Sequence, residues 1–403
     1  MTTTISRRTF LGTAGAGLAA TLLPTFGCGL RREPGMAVQP EFEHGFPYLD
    51  VAGTPYEIGK AIGKRFGLNI LQGLERRKDW YFEIRSFMQQ DLANRFEPFL
   101  AAGRRYFPEI VEELRGLADG SKVDFKDLMA LNLKAELSAM MAAKKEETPG
   151  CSTLSLADGK RLLIAHNEDG HRAYSDLMFL VRVSQPGKPT FLCLTYPGIL
   201  CGNGPAMNSA GLIVTTNYIS GLSVRPGVPR YFVSRAVLDA GNLKQAVEIV
   251  THPERAFSFH FNIGSKSEQK ILSVETSVEK SETYEVRGLY LHTNHLLLES
   301  MQATPQDKAY VETSSMSRYR VLTKLVDEQN NQLKNTTGED LTKMLTAHEN
   351  SPYSPCRHPT AEVAGTTLAS TVFDVLAGSL RLYRGNPCKN RYSQYRLNPK
   401  LQT

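Results

Sequence analysis

The spacing of apolar positions divides the chain into two textures that meet near residue 150. Upstream, apolar residues recur at helical spacing. Thr54-Pro55-Tyr56-Glu57 reads as a capping box with proline at the first helical position, and Ile58, Ile62 and Phe66 then fall on one face. Pro108 opens a second run through Ile110, Val111, Leu114 and Leu117, and Asp124 caps a third that reaches Met141. Gly59 and Gly63, also at helical spacing, predict a close helix pair. The charged, proline-bearing stretch 144–150 reads as a loop. Downstream, strand-like runs occupy 151–157, 161–166, 178–184, 190–195 and 211–217. Helices follow near 230–250 and 317–330, with strands at 257–263, 270–276 and 283–294 and a final pair at 366–375 and 379–384. Strands at both ends with helices between them predict an α+β fold of two antiparallel sheets packed together, helices outside.

The stretch 151–169 is the most informative. Asp158-Gly159 between two alternating runs signals a hairpin. A two-residue loop pairs Ala157 with Lys160 and sets Cys151 opposite His166, leaving Asn167 and Asp169 just beyond the ladder, near the sulfur. A cysteine preceded by the small Gly150, with a carboxylate delivered back beside it, suggests a nucleophile made by cutting the chain. The other expectation for Cys151 is a buried structural thiol.

Composition narrows the function classes. The 403 residues carry a formal net charge of +6 and ordinary apolar and charged fractions. Arg7, Arg8, Arg31 and Arg32 supply part of that charge, and no basic stripe interleaved with aromatics follows, which argues against nucleic acid. Residues 1–30 read as a targeting segment: Ser6-Arg7-Arg8-Thr9-Phe10-Leu11 is a twin-arginine pattern, followed by a short apolar run from Gly12 to Leu23. The expectation is a bacterial protein handed to the twin-arginine export machinery and delivered to the periplasm or cell envelope. A short membrane anchor is the alternative. Cys28, after Thr25-Phe26-Gly27, departs from a lipid-attachment box, so a lipid anchor there is the weaker expectation. Of the six cysteines none forms a CxxC, and the spacing suggests neither a zinc site nor a dense disulfide scaffold. Cys356 with Cys388, or Cys193 with Cys201, are the pairings open in an oxidising compartment.

From about residue 42 onward the chain resembles the acyl-coenzyme A:6-aminopenicillanic acid acyltransferase family of N-terminal-nucleophile (Ntn) hydrolases. The resemblance rests on segments in family order: Gly53-Thr54-Pro55-Tyr56-Glu57-Ile58-Gly59, Gly150-Cys151-Ser152-Thr153 and Ala165-His166-Asn167-Glu168-Asp169. Tyr196-Pro197-Gly198, Asn208-Ser209-Ala210-Gly211-Leu212, His292-Thr293-Asn294-His295, Pro352 to His358 and Gly385-Asn386-Pro387-Cys388 continue it. It implies a four-layer αββα sandwich, a helical segment over 31–150 and a catalytic segment over 151–403, separated by autocatalytic cleavage between Gly150 and Cys151. Cys151 would be the nucleophile and, through its freed amine, the base, since that amine's ordinary pKa of about 8 is close to a thiol's. Asp169 would orient the amine, Asn294 would donate to the oxyanion with Asn217 as second candidate, and Arg357 would be a site arginine. Asn167 stands where some relatives carry arginine.

Both His292 and His295 lack a third ligand at metal spacing, so neither metal nor cofactor is expected. The leading expectation is an amidase or acyltransferase acting on a small non-peptide amide through a Cys151 acyl-thioester. An exported, inactive scaffold of the same fold is the alternative. An uncleaved hydrolase using Cys151 with His166 is a third.

Overall fold

The computed structural model describes residues 45–141, 150–330, 333–389 and 391–397. Residues 1–30, expected to be an export segment, Cys28 and most of the 144–150 stretch lie outside the described residues. Fourteen strands are present among the described residues: Tyr48–Ala52 (β1), Cys151–Ala157 (β2), Leu162–His171 (β3), Phe179–Ser184 (β4), Phe191–Thr195 (β5), Ala206–Asn208 (β6), Leu212–Tyr218 (β7), Phe259–Ser265 (β8), Lys270–Thr276 (β9), Ser281–Glu285 (β10), Gly288–His292 (β11), Gly365–Asp374 (β12), Ser379–Arg384 (β13) and Tyr392–Arg396 (β14). They form an eight-stranded sheet, β1-β4-β5-β6-β7-β8-β9-β10, and a six-stranded sheet, β11-β2-β3-β12-β13-β14.

The sandwich has four layers. On the outer face of the six-stranded sheet, Leu154, Leu156, Leu163 and Ala165 pack under Leu322 and Val326 of the Met316–Asn330 helix and under Leu341 and Leu345 of the Gly338–Leu345 helix. Helices Pro55–Arg76, Arg230–Ala236 and Leu243–Val250 share a core with the eight-stranded sheet. Phe66, for example, stacks on Phe179 of β4 at 3.7 Å. The helical region from Pro55 to Met140 is therefore part of the main core and not an appendage.

Three features depart from the sequence reading. β1 pairs with β4 in parallel, so the larger sheet is not wholly antiparallel. The run 283–294 is two strands in different sheets, because Gly288 at φ +72° turns the chain from β10 into β11. The 158–161 loop is longer than two residues: Asp158 Oδ1 accepts from the backbone N–H of Lys160 (3.1 Å) and Arg161 (2.8 Å), an Asx-type closure. Ala157 consequently pairs with Leu162, and Cys151 with Glu168 instead of His166. A slip of two residues leaves every side chain on its expected face, so Cys151, Thr153, His166 and Glu168 still point together towards the other sheet.

The close helix pair is present as expected, and its partner is the parallel helix Pro108–Ser121. A Cβ on Gly59 would sit 1.8 Å from the Glu113 carbonyl oxygen, and one on Gly116 would sit 2.0 Å from that of Tyr56. Gly59→Ala should destabilise the fold by about 1–3 kcal/mol or more through forced separation of the helices. Gly67→Ala, whose Cβ would meet Ser121 Cα at 3.3 Å, should cost clearly less. Thermal unfolding of the two variants checks the difference.

Candidate active site

The site forms where the start of β2 meets the ends of β3, β7 and β11. Cys151 opens β2 and is buried. The peptide before it is held on both sides. The Gly150 carbonyl accepts from the Asp169 backbone N–H at 2.8 Å. The Cys151 N–H donates to Asn294 Oδ1 at 2.9 Å. The Cys151 carbonyl accepts from Arg318 Nη1 at 2.5 Å, and the same nitrogen donates to Ser152 Oγ at 3.0 Å. Arg318 Nη2 reaches Asn294 Oδ1 at 2.5 Å. A Cβ on Gly150 would meet Arg318 Nη2 at 3.0 Å and Arg357 Nη1 at 3.1 Å, so the residue before the cysteine is small because two guanidinium groups close over it.

Arg357 donates to Ser314 Oγ and lies 3.7 Å from Asp169 Oδ2 through Nε. Asp169 Oδ1 accepts from Thr367 Oγ1 at 2.7 Å. Burial pushes the Asp169 carboxyl up to about 6, against the pull of Arg357 and Arg318. The Cys151 thiol is pushed well above its ordinary value, first by burial and then by the Glu168 and Asp169 carboxylates. Arg318 and the Tyr218 backbone oppose that shift only in part. Burial and the two neighbouring carboxylates thus both favour the neutral thiol.

Asn294 joins Cys151, Asp169 and Arg357 in this cluster. Its side-chain N–H is occupied by the Tyr218 carbonyl at 2.9 Å, while its oxygen faces Cys151. Asn217 stands apart. Its Oδ1 accepts from Thr153 Oγ1 at 3.0 Å and from Asn262 Nδ2 at 3.1 Å, and lies 2.9 Å from His260 Nδ1. Asn167 points to the opposite face of its sheet, donating to the Leu345 and Pro355 carbonyls, each at 2.9 Å, and so anchors the segment that carries Arg357. His166 lies on the Cys151 face, with Nδ1 2.8 Å from Thr153 Oγ1 and Nε2 3.2 Å from Glu168 Oε2. Both ring nitrogens thus already have partners. His292 pairs with Glu275 at 2.9 Å and His295 with Ser315 Oγ at 2.8 Å, on different elements.

Sequence reasoning missed Arg318, and assigned no role to Glu168 or Tyr196, whose hydroxyl donates to Glu168 Oε1 at 2.6 Å. A usable signal for Arg318 was present. It lies four and eight positions before Leu322 and Val326, on the buried stripe of its helix, where a charge must have partners. Those partners depend partly on the π-helical turn Val311–Ser315, which brings Ser314 and Ser315 to the site. Beside Cys151 lies a small pocket of about 40 Å³, bounded by Trp80, Tyr174, Tyr196, Tyr231, Lys134 and Arg230. Arg230 Nε and Nη1 are buried without hydrogen-bond partners.

Residues 156–389 match the model of the acyl-coenzyme A:6-aminopenicillanic acid acyl-transferase family, a span that begins just after Cys151. A beta-alanyl-dopamine/carcinine hydrolase of Drosophila melanogaster is 26% identical over 367 residues, covering 85% of this chain and 93% of that protein. The 40 kDa form of acyl-coenzyme A:6-aminopenicillanic-acid-acyltransferase of Emericella nidulans is 25% identical over 343 residues, covering 84% and 93%. Among solved structures, a mutant conjugated bile acid hydrolase from Clostridium perfringens aligns with a TM-score of 0.43 and 12% identity, covering 63% of this chain and 98% of that one.

The buried histidines around the site set an acid limit to stability. Burial lowers His295 from 6.5 to about 3 and His260 well below its ordinary value, so each stays neutral in the fold but takes a proton once unfolded. Their contribution is complete above pH 6.5 and is lost as pH falls towards the folded values, at up to about 1.4 kcal/mol per pH unit for each. Asp169 works in the opposite sense: its contribution is complete below 3.8 and is lost as pH rises through about 6. Denaturant unfolding between pH 7 and 4 should show falling stability, with a shallower slope in His295→Gln.

Proposed function

The chain belongs to the acyl-coenzyme A:6-aminopenicillanic acid acyl-transferase family, and from that premise we propose an amide hydrolase or acyltransferase that cuts itself between Gly150 and Cys151. The observation that carries the reading is the double clamp on that peptide. The Gly150 carbonyl is held by the Asp169 N–H and the Cys151 N–H by Asn294, with the thiol in the same residue. Attack by Sγ on the Gly150 carbonyl carbon forms a tetrahedral centre. Its oxyanion keeps the Asp169 N–H and gains from the two guanidinium groups beside Gly150. The C–N bond then breaks, the thiol proton ends on the departing nitrogen, and a thioester joins Gly150 to Sγ. Water hydrolyses that thioester, leaving a carboxylate on Gly150 and a free amine and thiol on Cys151.

The new amine takes over the thiol proton in the reaction with substrate. Asn294 Oδ1 already accepts from that nitrogen, and Asp169 Oδ2, unpaired by hydrogen bond in the uncut chain, is the charged group that balances it. The Tyr218 N–H, which lowers the Cys151 thiol pKa, is the backbone donor proposed for a substrate oxyanion. For Asn294 to donate there as well, its N–H must first leave the Tyr218 carbonyl. An uncleaved Cys151–His166 couple is the weaker mechanism, because Thr153 and Glu168 already engage both ring nitrogens.

Small non-peptide amides are the proposed substrates, supported by the names of the curated relatives and by the aromatic pocket beside Cys151. Within it Arg230 lies 4.7 Å from the Tyr231 ring and has two unpaired nitrogens, which favours amides carrying a carboxylate. The Ser6 to Leu11 motif supports export to the periplasm by the twin-arginine machinery.

Intact mass and N-terminal sequencing test the cleavage. The wild type should give two fragments, one beginning Cys-Ser-Thr-Leu, and Cys151→Ala a single chain. An unbroken wild type indifferent to that substitution would sink the mechanism. For the substrate, an N-acyl amino acid should be turned over with a kcat/KM about tenfold or more above that of its neutral carboxamide, a gap that Arg230→Gln should close.

A further inference from the structure

Two cysteines and two histidines outside the proposed chemistry converge at the end of the six-stranded sheet. His348, Cys356 and His358 lie in the segment between the Gly338–Leu345 helix and β12, and Cys388 lies in the turn between β13 and β14. Their four ligand atoms all lie within 4.8 Å of one another. Cys356 Sγ is 3.6 Å from Cys388 Sγ, and His348 Nε2 is 3.2 Å from His358 Nε2. His358 Nε2 is 3.7 Å from Cys356 Sγ and 3.4 Å from Cys388 Sγ. A tetrahedral zinc with bonds of about 2.3 Å to sulfur and about 2.0 Å to nitrogen needs edges of about 3.8 Å between sulfurs, about 3.3 Å between nitrogens and about 3.5 Å between unlike atoms. Four of the six edges, those among Cys356, His358 and Cys388 and that between the two histidines, fall on those values to within about 0.2 Å, and the two from His348 to the sulfurs are within 4.8 Å. Both cysteines are unbridged.

We propose that His348, Cys356, His358 and Cys388 form a closed, structural zinc site. Two thiolates and two neutral imidazoles balance the charge of the ion and suit its borderline softness. With four protein ligands no position remains for water or substrate, which marks the role as structural. Asn386 supplies outer support: its side-chain N–H donates to Cys356 Sγ at 3.4 Å and to the Arg357 carbonyl at 2.6 Å. The site escaped the sequence reading because its ligands follow no finger-like spacing, Cys356 and Cys388 being 32 positions apart.

The placement gives the metal a consequence at the active site. Cys356 and His358 bracket Arg357, so an ion gripping both fixes the backbone on which that buried guanidinium is mounted, 3.7 Å from Asp169. Zinc binding itself stands whether or not the chain is cut, and its test reads metal, not turnover.

The full-length protein, expressed with zinc in the medium, reduced and purified without a metal resin, should retain about one zinc per chain through gel filtration. Cys388→Ser and His348→Ala, both at exposed positions, should lose most of it with unchanged far-ultraviolet circular dichroism. Cobalt added to the metal-stripped wild type should give tetrahedral ligand-field bands and a thiolate charge-transfer band, both absent in Cys388→Ser and retained in Cys193→Ser. Chelation should lower the melting temperature of the wild type by several degrees and leave that of Cys388→Ser unmoved. Absence of stoichiometric metal from the reduced protein would overturn the proposal. So would metal content equal in wild type and Cys388→Ser, or a Cys356–Cys388 disulfide that persists in protein isolated with saturating zinc.

Discussion

A guanidinium buried inside the protein, that of Arg318, holds the site together. A charge with no exposure to water needs acceptors, and both terminal nitrogens of Arg318 find them, on three separate stretches of chain: the Cys151–Ser152 start of β2, Asn294 beyond β11, and Ser314 in the π-helical turn before its own helix. Each partner is thereby fixed relative to the others. The outer helix is tied to the inner sheet through the residues where a cysteine, its amide and an asparagine meet. Replacing Arg318 with an apolar side chain would do more than loosen packing, because the Cys151 carbonyl and Ser152 hydroxyl would be left buried beside no donor.

The same economy governs the space between the sheets. Near the site this layer is polar: His166, Asn217, His260, Glu275 and His292 are fully buried and linked by hydrogen bonds, and the His260 and His292 rings stack at 3.4 Å. Farther along the sheets it becomes apolar, with Ile164 against Gly264. A connected polar layer gives the two sheets one register, since a slip would strand several buried groups at once. Burial at this end of the smaller sheet raises the Cys151 thiol and the Asp169 carboxyl together.

Most of the architecture was legible in the sequence because strong local signals coincide with tertiary burial. The capping box at Thr54, the apolar stripe after it and the Gly59/Gly63 spacing all report a helix that packs tightly, and the Pro55–Arg76 helix does so. The short strands β1, β6 and β14 left no such trace, since three to five residues carry too little periodicity and their pairing is decided by distant partners. In the site, the meeting of Cys151, Asp169, Asn294 and Arg357 could be anticipated because short motifs surround each of them. The register could not, because the Asp158 side chain, rather than a two-residue turn, closes the hairpin. The burial of Arg318 was signalled by its place on an apolar stripe, but its partners, like the ring of His348, Cys356, His358 and Cys388, depend on contacts between segments with no common pattern in the chain.

The way β1 is built into the larger sheet bears on what a break at residue 150 would do to the molecule. β1 lies upstream of that junction and hydrogen-bonds along β4, which lies downstream, while the helices between them share one core with both sheets. β2, which would begin the second piece, is an inner strand with neighbours on both sides, β11 and β3. The smaller sheet lies wholly downstream, but without the upstream piece the larger sheet lacks β1, and neither piece has a complete core alone. Two chains produced in this way would behave as one folded body, parting only when the whole unfolds, and the new terminus would be born inside a finished scaffold.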